Sequence, residues 1–305
     1  MTTEHVPRVA YGMDAELYRA ALGMSHSDSR QLRRSPWHYR QLQDKPQQAK
    51  TPSAVMQVGV LAHAATLEPD AFAKRYIVGP DISKNSNAWR DFNATCAAKG
   101  ASPITQAQHD QAQAIAQAAR AVPDFAALLD GADTEVSMWW LCPDTGVLCK
   151  ARADLVHVYP PGMRVLGDAD DETVQLAFDK GFAIVGDLKT TEDASADAFA
   201  RSVADYSYHT QAHWYMQGVR EALGIPVLSF MFAVVERDFP YATATYTLDD
   251  NAMAVAAEIN LAVRKRYVQC STAGTWPGYA SEVQEVALPH WYMKRYLLDR
   301  SKWLE

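Results

Sequence analysis

The residues whose types and spacing could do chemistry gather between Gly146 and Thr190. Gly146-Val-Leu-Cys-Lys-Ala-Arg-Ala-Asp-Leu-Val-His-Val158 reads as an extended run closing near Asp154. Phe182-Ala-Ile-Val-Gly-Asp-Leu-Lys-Thr190 reads as a second strand, its apolar Ala183-Ile184-Val185 followed by Asp187 and Lys189. Side chains alternate across a strand, so Asp187 and Lys189 share one face and Leu188 enters the opposite layer. Two carboxylates on neighbouring strands can hold a hard divalent cation, and a lysine beside them can orient or deprotonate a water; together these are the parts of metal-dependent phosphodiester hydrolysis. A lysine acts as a base only if its neighbourhood lowers its pKa from the usual value near about 10; with carboxylates adjacent the opposite shift is equally open, and the lysine then stabilises charge instead.

Other elements must position these groups. Ala54–Leu67 reads as a helix stopped before Pro69, with Gly59, His63 and Leu67 on one face. Thr134-Glu-Val-Ser-Met-Trp-Trp140 alternates as a strand, joined by a turn at Pro143-Asp-Thr-Gly146 to the strand carrying Asp154. Glu135 on it could assist a metal or form a salt bridge. Lys150, Arg152 and Asp154 share a face, so the two cations could meet a phosphate or pair with nearby carboxylates. Ser27–Leu32 reads as a capped helix start, and Ser35-Pro36 opens a second helix. Helices are also expected at Trp89–Lys99, Thr105–Arg120, Asp193–Val203, Tyr206–Leu223 and Asp249–Gln269. A final one over His290–Trp303 carries four aromatic rings and should pack on the core or a neighbouring subunit. Strands are expected at Phe72–Val78, Val227–Val235 and Tyr241–Thr247. Gln211 and Tyr215, at i and i+4, lie on one face of their helix.

In this order, Leu61-Ala-His-Ala-Ala-Thr-Leu-Glu-Pro69, Cys149-Lys-Ala-Arg-Ala-Asp154, Gly186-Asp-Leu-Lys-Thr190 and Gln211-Ala-His-Trp-Tyr215 resemble the PD-(D/E)XK nuclease superfamily. Within it they are most similar to the nuclease domain of the exonuclease VIII family (the RecE type), a relative of the RecB-type and lambda exonucleases. The resemblance spans roughly Ser27 to Val235. It implies an α/β fold, a central mixed sheet of restriction-endonuclease type flanked by helices, with helical additions at both ends. Residues 1–24 would form an arm and 25–305 one nuclease domain. It implies metal ligands at His63, Asp154, Asp187 and the carbonyl of Leu188, with Asp154, Asp187, Lys189, Gln211 and Tyr215 as the catalytic set. The implied cofactor is Mg²⁺, with Mn²⁺ able to substitute. The implied activity is removal of one strand from linear duplex DNA with free ends, 5′ to 3′, by a ring-shaped homo-oligomer working beside a single-strand annealing recombination protein. One departure is the 33 positions between Asp154 and Asp187, in which the acidic stretch Gly167–Asp179 reads as an insertion. Alternatives are an endonuclease of the same superfamily and a non-catalytic DNA-binding module that kept the fold; retention of both aspartates and the lysine argues against the second, because clustered like charges are costly without a metal.

Composition sets the outer limits. The net charge of −7 sits poorly with a DNA partner, but its distribution is uneven. Arg30–Lys50 carries six basic residues against Asp44 alone, while Ala121–Phe199 carries fifteen acidic and five basic residues. The four cysteines, Cys96, Cys142, Cys149 and Cys270, form no C-x-x-C pair, which argues against zinc ribbons and cysteine-bound iron–sulfur clusters. No apolar run approaches the ~20 residues that span a bilayer, and the first residues lack a signal-peptide apolar segment, so a cytoplasmic protein without membrane association is expected. There is no G-x-S-x-G elbow, Walker loop or H-E-x-x-H helix.

Overall fold

Stripes of alternating apolar residues build the central sheet. The computed structural model describes residues 8–44, 54–164 and 170–303. In chain order the elements are β1 (Val9–Ala10), α1 (Ala15–Ala20), α2 (His26–Arg34), α3 (Pro36–Asp44), α4 (Ala54–Leu67), α5 (Pro69–Arg75) and β2 (Tyr76–Val78). They continue with α6 (Asn87–Ala98), β3 (Ser102–Ile104), α7 (Gln106–Arg120), α8 (Pro123–Leu129), β4 (Asp133–Leu141), β5 (Leu148–Tyr159) and α9 (Asp171–Lys180). The chain closes with β6 (Phe182–Thr191), α10 (Ala196–Tyr206), α11 (Tyr208–Leu223), β7 (Val227–Glu236), β8 (Thr243–Tyr246), α12 (Asp250–Ala273) and α13 (His290–Trp303).

Six strands form a mixed sheet in the order β1-β4-β5-β6-β7-β8, antiparallel throughout except for the β6–β7 pair. The parallel pair needs a crossover, and α10 and α11 supply it. On one face Val136, Met138, Trp140, Phe230, Phe232 and Val234 pack with Trp214 and Val219 of α11. On the other, Leu155, Leu188, Ala233 and Val235 pack with Ala62 and Leu67 of α4, Ile115 and Ala119 of α7 and Phe125 of α8. The alanine- and glutamine-rich helix is a scaffold, as its composition suggests. Ala112, Ala116 and Ala119 of α7 are buried, and such small side chains let its axis approach α4 closely.

Gly186, one residue before Asp187, sits tightly against the α8 side of the core. A Cβ there would lie 2.7 Å from Leu128 Cδ2 and 3.1 Å from Leu155 Cδ1. Gly186→Ala should therefore overpack the layer and destabilise the fold by about 1–3 kcal/mol. A lowered midpoint in urea at unchanged slope would show it; an unchanged midpoint would mean that the layer yields freely.

Several sequence expectations shift. The strand foreseen from Phe72 begins only at Tyr76, because Pro69 opens a helical turn first. The acidic insertion becomes α9 from Asp171, its start fixed by Asp170 accepting from the Thr173 N–H at 2.8 Å; residues 165–169 lie outside the described part. Of the N-terminal arm, residues 8–24 are built onto the sheet. β1 pairs with β4, and Met24 exchanges backbone hydrogen bonds with Leu148 and Lys150 of β5. Helix α13 does not pack on the core, since Trp291, Leu297 and Leu298 are exposed.

Candidate metal and catalytic centre

The centre lies where the sheet comes apart. The β5–β6 ladder runs from Tyr159–Phe182 to Leu155–Gly186 and stops. The next row would join Asp154 to Asp187. Beyond it, β6 pairs with β7, and β5 pairs with β4 and, at Cys149, with the Met24 backbone, but the two no longer pair with each other. The β4–β5 ladder also skips one row, between Thr134–Leu155 and Val136–Ala153, and the missing pair is Glu135 with Asp154. Three carboxylates on three adjacent strands thus occupy one interrupted row. Glu135 has φ = 53°, a left-handed conformation that a non-glycine residue in a strand adopts only at a cost of roughly 1–3 kcal/mol. β5 changes phase at the same point. Ala153 packs on the α11 side and Leu155 on the α4 side, although residues two apart in a regular strand share a face.

The divergence frees the backbone N–H of Leu188 from a β5 carbonyl, and the Asp154 side chain replaces it by accepting that N–H at Oδ2, 3.0 Å away. His63 arrives from the other layer. Gly59 lets α4 pass close to the end of β6, a Cβ there being 3.4 Å from Thr190 Oγ1, and His63 one turn later places Nδ1 3.4 Å from Asp154 Oδ2. Ligand atoms of His63, Glu135 and Asp154 all lie within 4.8 Å of one another. One imidazole nitrogen and two carboxylates in that span fit a divalent cation, Mn²⁺ more readily than Mg²⁺ because of the nitrogen.

Asp187 is buried and held differently. Gln211 Nε2 donates to its Oδ1 at 2.8 Å, and its Oδ2 forms an ion pair with Lys189. Lys189 Nζ also donates to Gln211 Oε1 at 3.2 Å, so one amide spans both ends of the Asp-x-Lys pair. Burial alone would depress the Lys189 ammonium, but the charges of Asp187 and Asp154 override it and hold its pKa above the ordinary value. Asp154 is raised to about 7, first by burial and then by the neighbouring Asp187 charge. Tyr215, one turn beyond Gln211, is pushed well above the usual tyrosine value by burial and by the charges around it.

The structure therefore brings His63, Asp154, Asp187, Leu188, Lys189, Gln211 and Tyr215 to one place. It adds Glu135 to the compact ligand set, and Asp187 stands beside that set rather than within it. The signal for Glu135 was its place on the adjacent strand; its strained backbone was not legible. The two β5 cations turn away from a substrate role. Lys150 Nζ donates to the carbonyls of Tyr18 and Arg19, both at 3.1 Å, and of Ala21 at 2.5 Å, while Arg152 pairs with Glu135 and donates to Met13 O at 2.8 Å. Glu68 pairs with Arg75 and not with the centre.

A mixed sheet that splits around an Asp…Asp-x-Lys constellation, with a Gln-x-x-x-Tyr helix beside it, defines a domain of the PD-(D/E)XK nuclease superfamily. The chain belongs to the family of the PDDEXK-like domain of unknown function (DUF3799), whose model matches residues 25–160 and 165–289. Among solved structures it is similar to a protein from Eubacterium rectale described as a "Putative exonuclease". That likeness has 15% sequence identity and a TM-score of 0.55, covering 93% of this chain and 98% of the other. No curated protein matches this chain.

Proposed function

We propose that this chain is a divalent-metal-dependent exodeoxyribonuclease acting on linear duplex DNA from a free end, 5′ to 3′, and leaving single-stranded DNA for recombination. The observation that carries the nucleolytic part is the interrupted row Glu135–Asp154–Asp187, with His63 and the Lys189 ammonium at its rim. Strand polarity, a ring-shaped assembly and a single-strand annealing partner are supported by the motif resemblance alone. Of the basic run, the arginines of α2 support contact with a phosphate backbone. Arg33 Nη1 donates to Ser207 Oγ at 3.2 Å, at the corner leading into the catalytic helix, and Arg30 acts electrostatically on Tyr208 there.

In this reading His63, Glu135 and Asp154 hold the cation, Mg²⁺ with Mn²⁺ able to substitute, and Asp187 and the Leu188 carbonyl face it. The ion supplies a more acidic bound water and offsets charge on the transferring phosphoryl group. Lys189 stays protonated and stabilises developing negative charge. Gln211 keeps the Lys189 and Asp187 side chains in register through its two polar atoms, and Tyr215 packs behind it. Burial of Asp154 and Asp187 would strengthen the attraction of their charges for a bound cation.

The test is digestion of linear and covalently closed duplex DNA with Mg²⁺ or Mn²⁺. Linear DNA should be degraded from its ends, with closed circles resistant by at least about tenfold, because end-dependent binding contributes at least about 1.4 kcal/mol. Equal cutting of circles would make the protein an endonuclease, and release from 3′ ends would reverse the proposed polarity.

A further inference from the structure

Lys189 is a long side chain in a place where position matters, and two of its restraints also serve the metal region. Asp187 and, through it, Gln211 lie beside the carboxylates that a cation would attract. A third restraint comes from outside that set. The Tyr208 ring presents its face to Lys189, with Nζ 4.6 Å from the ring centroid. Tyr208 is the first residue of α11, directly after Ser207, which adopts φ = 60° and ψ = 40°. That left-handed corner separates α10 from α11, and the Arg33 side chain grips its hydroxyl. The ring itself is set among Tyr206, Phe199 and Phe232, with centroids 5.6, 6.1 and 6.0 Å away. Neighbours at these separations limit how the ring can turn.

We propose that Tyr208 is a positioning residue for Lys189, its aromatic face anchoring the ammonium independently of the carboxylates. The ring face carries no ligand atom for a divalent cation, so its hold on Lys189 persists when the nearby carboxylates turn toward a metal. A desolvated cation–π contact of this kind is strong enough to fix one rotamer of a lysine. The proposal rests on Lys189 being the catalytic lysine, and the experiment separates the two claims.

Position 208 is substituted by Phe, by Leu, and by 4-fluoro-, 3,5-difluoro- and 3,4,5-trifluorophenylalanine in the full chain. Fluorination withdraws electron density from the ring face while changing shape little. Metal-dependent DNA hydrolysis should be near wild type in Tyr208→Phe and fall stepwise along the fluorinated series, by about 10- to 30-fold in all. It should be as low or lower in Tyr208→Leu, with thermal midpoints of the fluorinated set unchanged. A second readout needs neither metal nor DNA: the ¹⁹F resonance of 4-fluorophenylalanine at 208 should shift on Lys189→Met. A flat fluorinated series, full activity in Tyr208→Leu, or a ¹⁹F resonance indifferent to Lys189→Met would each overturn the anchoring role while leaving Lys189 catalytic. Wild-type hydrolysis in Lys189→Met would overturn both claims.

Discussion

Asp187→Asn is expected to lower metal-dependent DNA hydrolysis by at least about 10³-fold while the protein remains folded. The carboxylate is buried, accepts from Gln211 and forms an ion pair with Lys189, so one substitution acts on three groups. Asparagine retains the shape and can still meet Gln211 through one atom. It loses the charge that keeps the Lys189 ammonium protonated and in place. Removing one electrostatic stabiliser costs about 10²–10³ in rate, and groups that act as a unit fail together. Lys189→Met should fall into the same range, and the double variant should be little worse than either single one. Initial rates on end-labelled linear DNA under single-turnover conditions would decide it. A double variant whose loss equals the product of the two single losses would show that the residues act separately.

Asp154→Asn is expected to raise the thermal midpoint of the metal-free protein at pH 8 and to abolish the gain that Mn²⁺ gives the wild type. The carboxyl is raised to about 7, first by burial and then by Asp187. Between about 4 and 7 the folded chain therefore keeps a proton that the unfolded chain has released, and stability falls as pH rises through that window. Above 7 the charge is present, and without a cation it is a net cost. Asparagine removes that cost while its side-chain oxygen can still accept the Leu188 N–H. A gain of roughly 1–2 kcal/mol corresponds to a midpoint rise of about 2–6 °C. In the wild type, Mn²⁺ at a hundred times its dissociation constant adds about 2.7 kcal/mol. Protons compete for the same carboxylate, so this gain should be large at pH 8 and fade toward pH 5. Thermal melts with chelator or Mn²⁺ across that range test both statements. A metal-induced gain that survives Asp154→Asn would place the cation elsewhere.

These outcomes depend on features that differ in how plainly the sequence carries them. The Asp187–Lys189 pair was legible because a strand's two-residue period is local, and β6 is regular there. His63 and the Gln211–Tyr215 pair were legible as helix spacings, and the motif resemblance supplied their convergence. The interrupted row was not legible, because register is a property of three strands at once and no local pattern records where two of them part. The same holds for Lys150, whose acceptors lie about 130 positions away. Its spacing relative to Asp154 suggested a route for phosphates, yet the distant carbonyls claim it. The helix containing Gln211 was expected to begin at Tyr206, but the left-handed Ser207 divides it. A serine gives little warning of that conformation, and with it went any sign that Tyr208 would face Lys189. Short elements such as α8 and β3 carry too few residues to establish a period.

The N-terminal strap has a practical consequence for anyone trimming this protein. The family match begins at residue 25, which invites an expression boundary there. Cutting at that point would remove β1 from the margin of β4 and strip the Lys150 ammonium of all three carbonyls that solvate it. It would also take the Trp139 indole's acceptor, Leu22 O. A raw strand margin invites intermolecular pairing, and a cation left without acceptors on the strand that bears Asp154 would pull that strand toward solvent. A shortened version that aggregates or fails to cleave DNA would thus report damage to the sheet, so biochemical work is best begun from a chain retaining residue 8 onward.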